Sequence, residues 1–78
     1  MDDKIMVEAR SRIRAKLGEY CLTNQWLMNE LERRGVKVDK STLSSALTGR
    51  IKGEKPQRIV SESLKIIARY GRYYDDAR

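Results

Sequence analysis

The sequence predicts an all-α fold, a compact domain of four or five helices, and three observations predict it. The chain has 78 residues, 40% of them hydrophobic, which is enough apolar material for one small core. Its apolar residues recur every three or four positions rather than alternating. The recurring stretches are punctuated by Gly18, Gly35, Gly49 and Gly71, and by residues suited to helix starts: Thr23, Asp39 or Ser41, and Pro56.

Met6, Ala9, Ile13, Leu17 and Tyr20 form one stripe, so a first helix is expected over residues 3–18, ending at Gly18. Thr23 then caps a second helix that carries Trp26, Leu27, Met28 and Leu31 and reaches Arg34, with Gly35 beyond its end. The segment Gly35-Val36-Lys37-Val38-Asp39 reads as a turn with its two valines tucked inward. Alternating valines could mark a strand, but no partner strand is apparent.

A third helix is expected from Lys40 to Thr48, with Leu43, Ala46 and Leu47 as its apolar face and Gly49 as its stop. A basic loop with two glycines follows. Pro56 then suits the first turn of a fourth helix over residues 56–70, because proline lacks the N–H that a helix start leaves unpaired. Val60, Leu64 and Ile67 mark one edge of its apolar arc and Ile59, Ile66 and Tyr70 the other, wider than one core stripe requires. The second edge, with Tyr73 and Tyr74, is therefore the expected dimer contact. Gly71 is expected to end the helix, giving a domain over 1–71 and a tail over 72–78 that is mobile unless a partner orders it.

Composition excludes several function classes. The chain has no histidine and one cysteine, so neither a disulfide framework nor a Cys/His zinc site can form within it, and imidazole acid-base chemistry is absent. No enzyme activity, cofactor or metal is expected. Cys21, between Tyr20 and Leu22, reads as a small buried hydrophobe. No apolar run is long enough to cross a membrane, and Met1-Asp2-Asp3-Lys4 lacks the basic start and apolar core of a secretory signal, so a cytoplasmic location is expected.

Charge is the informative quantity. The formal net charge is +6, and residues 33–58 carry all of it: Arg33, Arg34, Lys37, Lys40, Arg50, Lys52, Lys55 and Arg58 against Asp39 and Glu54. So focused an excess suits a polyanion. The competing reading is an ordinary solvated basic face.

Two helices joined by a glycine-containing connection, the second short and rich in hydroxyls, form a helix-turn-helix pattern. Leu22-Thr23-Asn24-Gln25-Trp26-Leu27, then Gly35, then Ser41-Thr42-Leu43-Ser44 through Gly49-Arg50, resembles the Cro/repressor-type (lambda-repressor-like) helix-turn-helix proteins of phages and mobile elements. The resemblance covers residues 5–70. It departs from the family at Met28, where a small alanine is usual, and in a longer stretch between Leu27 and Leu43. It implies sequence-specific double-stranded DNA binding by a small transcriptional regulator, a repressor acting by operator occupancy, and a homodimer on two half-sites. It also implies phosphate contacts at the start of the second helix from Thr23, Asn24 and Gln25.

The residues themselves place Ser41, Ser45 and Thr48 away from the third helix's apolar face and Ser44 on its flank. Lys40, Ser41, Ser44 and Ser45 are the candidates for base edges. Lys37, Thr48, Arg50, Lys52 and Lys55 join the phosphate candidates, each equally readable as a residue serving solubility. The serines also suit a plain solvated helix face. Trp26 could stack on nucleic acid, though helix packing is the more ordinary role for it. An alternative from another class is an interaction adaptor on the same fold that binds an acidic partner protein. RNA is disfavoured because no aromatic platform interleaves the basic residues.

Overall fold

The computed structural model describes residues 4–76, and side chains as far as Tyr73. It is all-helical: α1 (Lys4–Glu19), α2 (Asn24–Arg33), α3 (Lys40–Thr48) and α4 (Glu54–Asp76), with no strand among the described residues. No described helix is long and apolar enough to cross a membrane.

The stripe expected on α1 is its core face. Ala9, Ile13 and Leu17 are buried, with Met6 and Tyr20 packed at its ends. Leu27 and Leu31 of α2 and Leu43, Ala46 and Leu47 of α3 meet them, and Val36 plugs the connection between those helices while Val38 packs at the core's margin. The valines are inward turn residues, as their spacing suggests.

Three helices end in the same way. After α2, the Val36 N–H bonds the Leu31 carbonyl at 2.9 Å and the Gly35 N–H bonds Glu32 at 3.0 Å, with Gly35 left-handed at φ 83°. After α3, Arg50 bonds Ser45 at 2.9 Å and Gly49 bonds Ala46 at 3.4 Å, with Gly49 at φ 80°. This pair of reversed bonds closes a helix by satisfying its last carbonyls, and it needs one left-handed residue. α1 closes likewise, with Leu22 bonding Leu17 at 2.8 Å and Cys21 bonding Gly18 at 3.2 Å. Here the left-handed residue is Cys21, at φ 58°.

Cys21 is therefore exposed, not buried as expected. The left-handed turn needed to bring Leu22 back onto Leu17 leaves the thiol facing outward. Gly18, the expected helix stop, lies inside α1 instead.

α4 departs most from expectation. It begins at Glu54, two residues before Pro56, because any of the first helical turn's N–H groups can be missing without loss of a helix bond. It also runs through Gly71 to Asp76 instead of releasing a tail at residue 72; Ala77 and Arg78 lie outside the described residues. Gly71 serves an approach, not a stop. It is buried, and a Cβ there would sit 2.7 Å from the Tyr20 hydroxyl oxygen.

The wide apolar arc of α4 also has a use within the chain. α4 packs on α1, α2 and α3, so both edges of the arc are covered. Ile59 is fully buried and Ile66 nearly so, which removes both from the expected dimer surface. Tyr70 is half-buried against Tyr20 and Trp26, and among the described members of that surface Tyr73 stands open, at 71% exposure. The side chain of Tyr74 lies outside the described residues.

Two stability predictions follow from these geometries. Cys21→Gly removes a left-handed side-chain penalty and is expected to raise unfolding stability by about 1 kcal/mol in urea titrations. Gly71→Ala is expected to show no gain in the native background, because the new methyl meets the Tyr20 hydroxyl. In a Tyr20→Phe background the same change regains a helix-propensity benefit of about 1 kcal/mol, measurable as a double-mutant cycle.

Candidate nucleic-acid interface

The start of α2 is built from Thr23 outward. Its side-chain oxygen accepts the Trp26 N–H at 3.1 Å, and its carbonyl accepts the Leu27 N–H at 3.2 Å. Within this turn the N–H groups of Asn24 and Gln25 receive no helix carbonyl, the usual condition of a helix's first residues. Such a pair suits a phosphate oxygen, with the helix dipole adding to the attraction. Asn24 is half-buried at the mouth of this turn. The Gln25 amide nitrogen donates to Asn29 Oδ1 at 3.1 Å, which holds that side chain along its own helix.

The start of α3 is different because an acid occupies it. Asp39 is the N-cap, and its Oδ1 accepts the Thr42 N–H at 2.6 Å. Hydrogen bonds from the Thr42 side chain and backbone, with the charge of Lys55 adding to them, hold the Asp39 carboxyl below the usual carboxylate range. The α3 N-terminus thus carries its own anion, and a phosphate is better placed at α2.

Along α3, Lys40, Ser41, Ser44 and Thr48 are exposed while Ser45 is half-buried. The outward row therefore runs through Ser44 more than helical spacing alone indicates, and Ser45 lies at its edge. The Thr48 hydroxyl donates to the Ser44 carbonyl at 2.9 Å and lies 3.4 Å from that of Ser45. Its proton is spent inside the helix, so Thr48 offers an acceptor outward, the wrong polarity for a phosphate oxygen.

The cations separate into two groups. Lys37, Lys40, Arg50, Lys52, Lys55 and Arg58 are exposed in the α2–α3 turn, on α3, in the α3–α4 loop and on the first turns of α4. Lys37, Lys55 and Arg58 share a shallow depression with Gly35, Val36 and Glu54, which brings the turn and the start of α4 together. Arg33 and Arg34 point elsewhere, Arg33 pairing with Glu30 at 3.4 Å and Arg34 with Glu62 of α4 at 3.8 Å. Focusing by sequence position thus overstates the patch, though six cations still face only Asp39 and Glu54.

Two arginines of α1 that the apolar stripe did not single out hold the far end of α3. Arg14 donates from Nη1 to the Leu47 carbonyl. Arg10, only 8% exposed, lies across Gly49, where a Cβ would come within 3.0 Å of its guanidinium. Cations at a helix C-terminus stabilise it, and here they also tie α3 to α1. Their signal in the sequence is a spacing of four directly beside Ala9 and Ile13. Trp26 is half-buried, its ring edge-on to Tyr70 at 5.3 Å, so it serves helix packing.

Among the described residues no cluster of histidine, cysteine or carboxylate side chains is arranged to hold a metal ion. No protein-family model, curated protein or solved structure matches the chain.

The lowered pKa of Asp39 makes stability depend on pH in the acid range. A carboxyl whose folded pKa lies below its unfolded value of 3.8 contributes stability that is present above that value and lost as pH falls through the folded one. Thermal unfolding of the native chain is therefore expected to lose more between about pH 5 and pH 2 than that of Asp39→Asn. Equal losses would remove Asp39 from the acid response.

Proposed function

We propose that this chain binds double-stranded DNA sequence-specifically and acts as a small transcriptional regulator, a repressor that works by covering its operator. The observation that carries the reading is the exposed hydroxyl face of α3, with Lys40 at its start and the exposed Arg50 and Lys52 in the loop that follows its end. The resemblance of residues 22–50 to the Cro/repressor-type proteins of phages and mobile elements supports the same function.

In this reading α3 enters the major groove, which is about 12 Å wide and admits a helix. Lys40, Ser41 and Ser44 meet base edges, with Ser45 at the margin. Asn24 and the first turn of α2 hold one phosphate, while Arg50, Lys52, Lys55 and Lys37 hold its neighbours. Serine hydroxyls donate or accept at several bases, so they discriminate less than the bidentate arginine–guanine or glutamine–adenine pairs. Part of the specificity then comes from DNA shape and bridging water. One such face covers little DNA, so two copies on half-sites about 34–36 Å apart supply useful affinity.

Selection of bound duplexes from a random pool is expected to enrich a two-half-site pseudo-palindrome. Arg50→Ala or Lys52→Ala should weaken binding on all sequences and flatten the salt dependence by about 0.9 in log–log slope per lost phosphate contact. Ser41→Ala and Ser44→Ala should change which site is preferred. Absence of any enriched site would overturn the regulator reading and turn attention to an acidic protein partner.

A further inference from the structure

A groove between α2 and α4 shares no residue with the DNA face proposed above, and it collects Arg33 and Arg34, the two arginines of the central charge excess that point away from that face. Each wall is one face of a helix. Trp26, Glu30 and Arg33 recur at spacings of four and three on α2, as Ile66, Tyr70 and Tyr73 do on α4, with Arg69 next to Tyr70. Residues 33–58, the basic middle of the sequence, hold no aromatic residue, but the fold sets Trp26, Tyr70 and Tyr73 among three guanidiniums. Tyr70 is held edge-on between Trp26, at 5.3 Å, and Tyr20, at 5.2 Å, while Tyr73 is open to solvent. The guanidiniums are incompletely used. Arg33 reaches Glu30 at 3.4 Å and Arg34 reaches Glu62 at 3.8 Å, both longer than the roughly 2.7–2.9 Å of a tight charged hydrogen bond. Arg69 has no ion pair among the described residues, and Glu30 is the one carboxylate described in the lining.

We infer that this groove binds a nucleotide, with the base against the aromatic side chains and the phosphate on the guanidiniums. Its volume of about 480 Å³ lies within the roughly 300–1,000 Å³ of small-ligand sites. A base needs a flat partner, which aromatic rings and the guanidinium plane of arginine both supply. A phosphate needs several donors, and arginine presents its own in a planar fork that fits two oxygens at once. Simpler ligands use only half of the groove. An acidic peptide takes the arginines and leaves the rings idle, and a wholly apolar ligand covers three cations without giving them a partner. A free nucleoside phosphate and a nucleotide within a single strand present the same base and phosphate, so either source fits. Duplex DNA does not, because stacking covers the faces of its bases.

Trp26 is the chain's only tryptophan, so its fluorescence reports on the groove directly. Titrating the full chain with adenosine monophosphate is expected to change that emission saturably, with calorimetry giving the same affinity. Adenosine alone and inorganic phosphate alone should each bind about tenfold more weakly or worse, since each lacks one half of the contact. Arg69→Ala and Tyr73→Ala, both at exposed positions where the fold tolerates change, should each weaken adenosine monophosphate about tenfold. A short single-stranded oligoadenylate separates the sources. Affinity well above that of the mononucleotide, lost in the same two variants, assigns the groove to single strands, and affinity no higher assigns it to free nucleotides. Absence of binding by emission and calorimetry with both ligands would overturn the inference, as would binding that neither variant weakens. Inorganic phosphate or polyglutamate binding as tightly as the nucleotide would overturn it too, by making the groove a reader of charge alone. None of these residues belongs to the duplex face, so failure here leaves the regulator reading to its own selection experiment.

Discussion

The breadth of the apolar face on α4 is the constraint on which the rest of the molecule depends. A helix that packed on one neighbour would need a single stripe, but Ile59, Val60, Ile66 and Ile67 are all buried because three helices share the same partner. The nine residues of α3 are too few to be stably helical alone in water. It is helical here because Leu43, Ala46 and Leu47 rest on that common surface. The hydroxyl row on its other side inherits its position from this burial.

The ends of α3 are fixed by charges of opposite sign, each suited to the dipole it meets. Asp39 sits at the positive N-terminus, and Arg10 and Arg14 of α1 at the negative C-terminus. The helix is therefore oriented by groups that lie outside the row of residues facing outward. Its angle to α1 is set separately from the choice of Ser41 or Ser44, so those positions can vary without rebuilding the scaffold.

Much of this was legible from the order of residues, for identifiable physical reasons. The stripe on α1, the Thr23 cap, the inward valines and the left-handed Gly35 and Gly49 each rest on local rules, and the structure has all of them. What sequence reading missed depends on which elements meet. Gly71 looked like a helix end because glycine is a poor helix residue, whereas Tyr20, fifty-one positions earlier, crosses the backbone there and leaves no room for a side chain. Ile59 and Ile66 looked spare because one stripe of α4 seemed enough for a core. Cys21 looked buried because its neighbours are apolar, yet the reversal that brings Leu22 onto Leu17 turns the thiol outward. In the candidate site, the exposure of Ser41 and Thr48 followed from helical phase, whereas Ser44, placed on the flank, is exposed and Ser45, placed outward, is half-buried. The internal bond of Thr48 and the withdrawal of Arg33 and Arg34 toward Glu30 and Glu62 did not follow from that phase.

The packing of the first helix against the last also bears on how the chain folds as it is made. α1 leaves the ribosome early, but the surface that buries Ile13 and Leu17 is completed only when Ile67 and its neighbours have been synthesised. Until then α1, α2 and α3 have no common partner and little reason to stay helical. Folding thus waits until α4 has been made and then occurs as one event, as expected of a domain that forms as a unit. A ribosome that stalls within α4 would release an open chain, with its apolar stripes available to proteases.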